Sequence, residues 1–460
     1  MSHLAACSQG KRVLAAAGGE PTLPNRAPIA WTYSGLDSID DITSISVRLN
    51  WSVLSSAAYY VVYRVVGSDL RVEHVAMNPV SSFTVTGLSP DTAYTFRVRA
   101  ADASGVIDDN ARDLTASTLA APVPTVSSVD PGESVAPGGI TVKILGAGFQ
   151  EGAVASIGGS PCAPTLFVSS TELSCRVPAR SSDDDLVRVP VSVVNPDAQQ
   201  GLWDQGFLYL GSPLLWLDAS RSASVITRGA TSRVVQWSDL SGQGNNAVND
   251  LNDSTQPLFH ATGSAHFLNG RRTISFDRAE STRLRVMPIG RLATALSSPF
   301  TIFTVSKLAS QPLGQGSEAY SADFARGGDA TQLFATHADG TLDFALWNTV
   351  PALFRAASDV GAITQGRAHL KTMTFDGGAT NQIRGFVDGV EAAQSGVTVI
   401  GSVADNTGAV PYYIGAGNPE QAGQNWYFTG DIAEIVFMPG NLGETERALV
   451  EETLRNKWDL

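Results

Sequence analysis

Cysteine and histidine are scarce: three cysteines, at positions 7, 162 and 175, and six histidines in 460 residues. There is no Cys-x-x-Cys pair and no histidine at zinc-finger spacing, so a structural zinc site of that kind is excluded. Charge is sparse too. Charged residues make up 16% and hydrophobic residues 43%, too apolar for a disordered chain. Bases are the scarcer sign: 31 Lys+Arg against 44 Asp+Glu leave a net charge of −13, the reverse of what phosphate neutralisation requires. Nucleic acid is therefore not an expected partner. No run of about 18 apolar residues exists to form a membrane-spanning helix. Three strings that mark common catalytic sites are also missing: Gly-x-Ser-x-Gly, His-Glu-x-x-His and Gly-x-x-x-x-Gly-Lys-Ser/Thr.

What is present is punctuation. The 44 glycines and 23 prolines break the chain into short runs, many alternating apolar and polar residues with the period of a half-buried strand. At roughly 150 residues per domain, this length predicts three domains. Cys162 and Cys175 bracket a segment long enough to set them on neighbouring strands, either as a disulfide or as two buried thiols. The disulfide reading implies an oxidising compartment. Near the start, Leu4-Ala5-Ala6-Cys7-Ser8 resembles the lipobox of bacterial lipoproteins, in which Cys7 is the lipidated residue. Only Met1-Ser2-His3 precede it, without the basic and apolar parts of a signal, so a chance match stays open. If the lipobox is real, Ser8 resembles the outer-membrane sorting pattern, and residues 1–28 read as a tether.

Residues 29–118 contain the alternating runs Val47 to Trp51, Tyr59 to Val66 and Tyr94 to Ala100, the last preceded by the turn cluster Leu88-Ser89-Pro90-Asp91. This order resembles the fibronectin type III family. The resemblance implies a sandwich with Trp51 on its second strand and a tyrosine corner, in which the Tyr94 hydroxyl bonds back to the chain. Residues 122–211 carry Gly146-Ala147-Gly148-Phe149 and Val193-Val194-Asn195-Pro196-Asp197, and resemble the immunoglobulin-like TIG (IPT) family with its occasional cysteine pair. Both units read as spacers, and Asp183-Asp184-Asp185 as a charged hairpin tip.

Residues 212–460 differ in texture. They open on Trp237-Ser238-Asp239 and Ser241-Gly242-Gln243-Gly244-Asn245, and close on Gly430-Asp431-Ile432-Ala433-Glu434 and a terminal Trp458. This order resembles the concanavalin-A-like, laminin-G-like jelly rolls of bacterial surface proteins. Val450, Leu454 and Trp458 lie four apart, which predicts a short closing helix with one apolar face. The expected fold is all-β: three β-sandwich domains in tandem, the last a jelly roll with a short C-terminal helix.

Such jelly rolls include glucanases, whose Glu-x-Asp-x-Glu strand is absent here. Asp431 and Glu434 stand an odd number of positions apart and would face opposite sides of a regular strand. Carboxylates distant in sequence stay open, so a glycoside hydrolase ranks third among the expectations. The first is a non-catalytic adhesin or carbohydrate-binding protein, exported to the outer membrane or cell surface. The second is a structural rod, or a lipoprotein whose head docks a partner protein. Flat aromatic faces beside amides suit a sugar, and Trp347, Tyr412, Asn425 and Trp426 are the candidate ligand-binding residues. Asp239, Asn245, Asn246, Asp250 and Asp253 concentrate hard oxygen donors, the composition of a calcium site, although such residues also make turn bonds. The expected partner is a glycan or a cell-surface protein, with membrane attachment only through Cys7.

Overall fold

The computed structural model describes residues 33–180, 186–249, 253–260, 266–310, 320–327, 334–347, 353–377, 382–394, 410–417, 419 and 426–460. Strand counts below refer to these residues. The chain divides into two compact units, one ending at Val123 and the other running from Pro124 to Leu460.

The first unit is a sandwich of a three-stranded sheet (Leu36–Asp40, Ser46–Trp51, Ser82–Thr86) and a four-stranded sheet. The four-stranded sheet is ordered Asp69–Met77, Tyr59–Val66, Ala93–Ala101, Leu114–Ser117. Alternation decides what is inside: Val47, Leu49 and Trp51 from one sheet meet Tyr60, Val62, Phe96 and Val98 from the other. Ser89 donates its backbone N–H to the Tyr94 hydroxyl at 2.9 Å, the corner bond the fibronectin type III resemblance implies.

The second unit begins with another sandwich. Its four-stranded sheet contains Thr165–Ser169, Glu172–Arg176, Thr141–Ala147 and Thr125–Asp130. Its five-stranded sheet includes Val154–Ile157, Leu186–Val194 and Gln200–Leu210. Cys162 and Cys175 form a disulfide with a Cα–Cα distance of 5.4 Å, sewing the two sheets together inside the core. Gly148 adopts φ +74°, as a tight bend requires. Gly146 is needed for a different reason: a Cβ there would lie 1.8 Å from the Thr125 carbonyl oxygen.

The third sandwich packs an eight-stranded sheet on a nine-stranded one. The eight-stranded sheet centres on Gly430–Pro439 and Phe300–Leu308, both buried over nearly their whole length. Burial on both faces has a simple cause. Ile302, Ile432 and Phe437 face the core, while Phe303, Val305, Ala433 and Val436 face a second apolar layer. That layer is built by the closing helix Glu444–Trp458 through Val450, Leu454 and Trp458, the predicted face. Leu208 and Leu210, from the last strand of the second sandwich, join it. Arg188 reaches across from that sandwich to the Thr453 hydroxyl at 2.7 Å. The second sandwich therefore shares a core with the third, which revises its expected reading as a separate spacer.

Candidate functional site on the nine-stranded sheet

Tyr320–Arg326, Phe334–His337 and Leu342–Trp347 are successive strands of the nine-stranded sheet. Phe324, Phe334, Leu342 and Phe344 point into the core, so their alternate neighbours face outward. Register sets Tyr320 opposite His337 and Ala322 opposite Ala335, which in turn opposes Asp343. On this outer side Ala322, Ala325 and Trp426 form a small separate cluster with half-buried Tyr320. The Tyr320 and Trp426 rings lie 5.5 Å apart and tilted, and Tyr320 meets His337 edge-on at 4.3 Å. His337 Nε2 is 2.6 Å from Asp343 Oδ2.

Small residues make this arrangement possible. Besides the two alanines, Gly417 lies under the indole, where a Cβ would approach the ring to 2.4 Å. Tyr427 follows, partly exposed, with its hydroxyl 3.4 Å from Arg283 Nη1. Trp426 is 7% exposed, and its Nε1–H has no acceptor among the described residues. A buried unmet donor costs about 1–3 kcal/mol. Of these groups Tyr320, His337, Arg283 and Tyr427 are partly exposed, while Asp343 and Trp426 are buried behind them. Those groups suit a polyhydroxylated ligand.

The other sequence candidates are placed differently. Tyr412 is fully buried, stacked on Phe324 at 5.4 Å with its hydroxyl donating to Leu292 O, so it is a core residue and no sugar platform. The Trp347 side chain, Asn425, Asp250 and Cys7 lie outside the described residues. The described candidate calcium ligands already have protein partners. The Asp239 carboxylate already accepts from Trp216 N, Ser241 N, Ser241 Oγ and Asn245 N at 2.7–3.0 Å. Asn246 Oδ1 accepts from Asp239 N, Asn245 Oδ1 from Ile289 N, and Asp253 pairs with Arg228 at 2.6 Å. The bonds of Asp239 with Ser241, Asn245 and Asn246 are local ones that order the loop.

Sequence reading missed one cluster entirely. Glu133 of the second sandwich meets Asp218, Glu434, Arg221 and Lys457 of the third, all nearly or fully buried. Lys457 Nζ lies 2.7–2.8 Å from all three carboxylates. Glu434 also accepts from Trp216 Nε1 and Trp458 Nε1, at 2.8 and 2.7 Å. A bulge explains its position. Opposite Val305 and Ser306 the register skips from Glu434 to Ile432. Glu434 therefore lies on the helix side, the same side as Asp431, instead of opposite to it. Burial, reinforced by Asp218 and Glu133, pushes Glu434 up to about 7 despite Lys457. Burial also opposes ionisation of Asp218, but Lys457 and Arg221 outweigh it and hold this carboxyl down at about 2.

Residues 34–110 match the model of the fibronectin type III domain, and residues 124–209 match that of the IPT/TIG domain. The chain carries one domain of each kind. Endoglucanase B of Cellulomonas fimi is 36% identical over 135 residues, which is 28% of this chain and 12% of that enzyme. The chain thus spans only a small part of this curated relative. Among solved structures, the binding domain of Paraclostridial Mosquitocidal Protein 1 is similar at 11% identity and TM-score 0.38, over 53% of each chain. The CBM40 of Ruminococcus gnavus IT-sialidase, solved with α2,3-sialyllactose, is similar at 14% identity and TM-score 0.30, over 42% of this chain and 95% of that one. Beyond the fibronectin type III and IPT/TIG sandwiches, these distant likenesses decide nothing about ligand.

Proposed function

We propose that this chain is a non-catalytic carbohydrate-binding protein, with its glycan site on the outer face of the nine-stranded sheet around Tyr320, Trp426, His337 and Asp343. The observation that carries this reading is the half-buried Tyr320 ring, packed against Trp426 and edge-on to His337. Tyr320 supplies an apolar face for a pyranose, and His337–Asp343 and Arg283 supply partners for hydroxyls. Contacts of this kind give weak single-site affinity, so clustered copies bind by avidity. The Cys162–Cys175 disulfide supports an exported protein in an oxidising compartment. Lipidation at Cys7 and display at a bacterial surface complete the reading.

The test is a glycan array probed with the multivalently displayed chain, repeated with Tyr320→Ala. Binding to a coherent glycan set that the variant loses supports the site, and a blank array contradicts it.

A second reading is favoured by one observation, the stretch shared with an enzyme named endoglucanase. On that reading the chain hydrolyses β-glucans. Release of reducing ends from soluble β-glucan above background would establish it and displace the first.

A further inference from the structure

Deep between the two sheets of the jelly roll, Lys371 on the strand Ala368–Phe375 contacts Asp323 on the strand Tyr320–Arg326. Both side chains are 0% exposed. Asp323 reaches the interior because of a bulge. The register skips from Ala322 to Phe324, so Asp323 and Phe324 both point inward although they are adjacent. Ser306 Oγ donates to Asp323 Oδ2 at 2.5 Å, and Lys371 Nζ lies 5.9 Å from the centre of the Phe428 ring.

As an ion pair this arrangement is poor. An ammonium has three donors, and Lys371 Nζ has one acceptor among the described residues, Asp323 Oδ2. The carboxylate's other oxygen, Oδ1, is buried with no partner among them. Desolvating two ions costs several kcal/mol each, and only good geometry with full hydrogen bonding returns it. An amide between the same two side chains needs far less, with one N–H, one C=O and no charge.

We propose that Lys371 and Asp323 condense to an intramolecular isopeptide bond that ties the two sheets of the jelly roll together. The step balances without an external reagent. A proton passes from the ammonium to Oδ2, leaving a neutral amine and a neutral acid. The Nζ lone pair attacks Cγ, forming the N–C bond and moving the carbonyl π electrons onto Oδ1. Collapse restores the C=O at Oδ1 and breaks the Cγ–Oδ2 bond. Oδ2 departs as water, carrying its own proton and one from nitrogen, while the Ser306 hydroxyl steadies the leaving oxygen. Nothing is oxidised or reduced.

The experiment is intact-mass and peptide mass spectrometry of the full chain, denatured, alongside Lys371→Arg. The expected result is a protein lighter by one water than its sequence with the disulfide closed. A digest should yield a branched peptide joining the Lys371 and Asp323 segments, and both signals should vanish in the variant. Linear peptides carrying free Lys371 and free Asp323 would overturn the proposal. So would a water loss that persists in Lys371→Arg, because ring closure at Asp339-Gly340, Asp376-Gly377 or Asp388-Gly389 removes the same mass. The wild-type measurement is decisive even if the variant fails to fold.

Discussion

Tyr320 and Tyr412 belong to adjoining stretches of one sheet, yet strand parity gives them opposite roles. Tyr412 alternates with outward-facing Tyr413 and fills the core, where its ring stacks on Phe324. Tyr320 lies at a strand end, half-buried, against Trp426 and His337. Composition alone cannot separate the two, because aromatic side chains serve core and site equally. Tyr320→Ala is therefore expected to weaken glycan retention roughly tenfold, the equivalent of about 1.4 kcal/mol, as read by affinity electrophoresis or surface capture. Tyr412→Phe should leave retention unchanged and cost about 1 kcal/mol of stability through its lost hydroxyl bond. Equal loss of binding in both variants would contradict the assignment.

At the scale of elements, local pattern was a good guide and long-range chemistry was not. The closing helix was legible because Val450, Leu454 and Trp458 repeat at helical spacing. The corner at Tyr94 was legible only through the fibronectin type III resemblance that the turn cluster and alternating strand carry. Neither bulge was: Glu434 and Asp323 lie in ordinary alternating strings, and only pairing with a neighbour shows the skipped register. Two element-level changes should be costly. Leu454→Ala removes buried surface that closes the layer between helix, sheet and IPT/TIG sandwich, at about 2–5 kcal/mol in chemical denaturation. Replacing Cys162 and Cys175 by serine frees a short loop in the unfolded chain and should cost about 3 kcal/mol. If the double variant unfolds at the wild-type denaturant concentration, the disulfide is not a stabilising tie.

For the whole molecule, the consequential feature is the sealed charge cluster between the IPT/TIG sandwich and the jelly roll. Lys457 and Glu133 are 324 positions apart, and no spacing rule joins them. Three carboxyls share two cations there, and the shifts set a pH dependence. Glu434 binds its proton more tightly folded than unfolded, so its contribution is fully present below its ordinary value of 4.5. That contribution is lost as pH rises through about 7. Asp218 works in the opposite sense: its contribution is present above about 4 and lost as pH falls toward about 2. Stability from the cluster should therefore peak near pH 4–5 and decline toward pH 8, by at most about 3 kcal/mol from Glu434. Melting curves of wild type and Glu434→Gln across that range check this. The variant should lose most of the decline, whereas parallel curves would remove Glu434 as its source.

The central claim is that the outer face of the nine-stranded sheet binds glycan. The most direct measurement is the glycan array with multivalent wild type and Tyr320→Ala, each with calcium and again with chelator. The account predicts a coherent set of bound glycans, loss of that set in Tyr320→Ala, and no change on chelation, because the oxygens of Asp239 and its neighbours already accept hydrogen bonds within the protein. A blank array, or binding untouched by Tyr320→Ala, would contradict it.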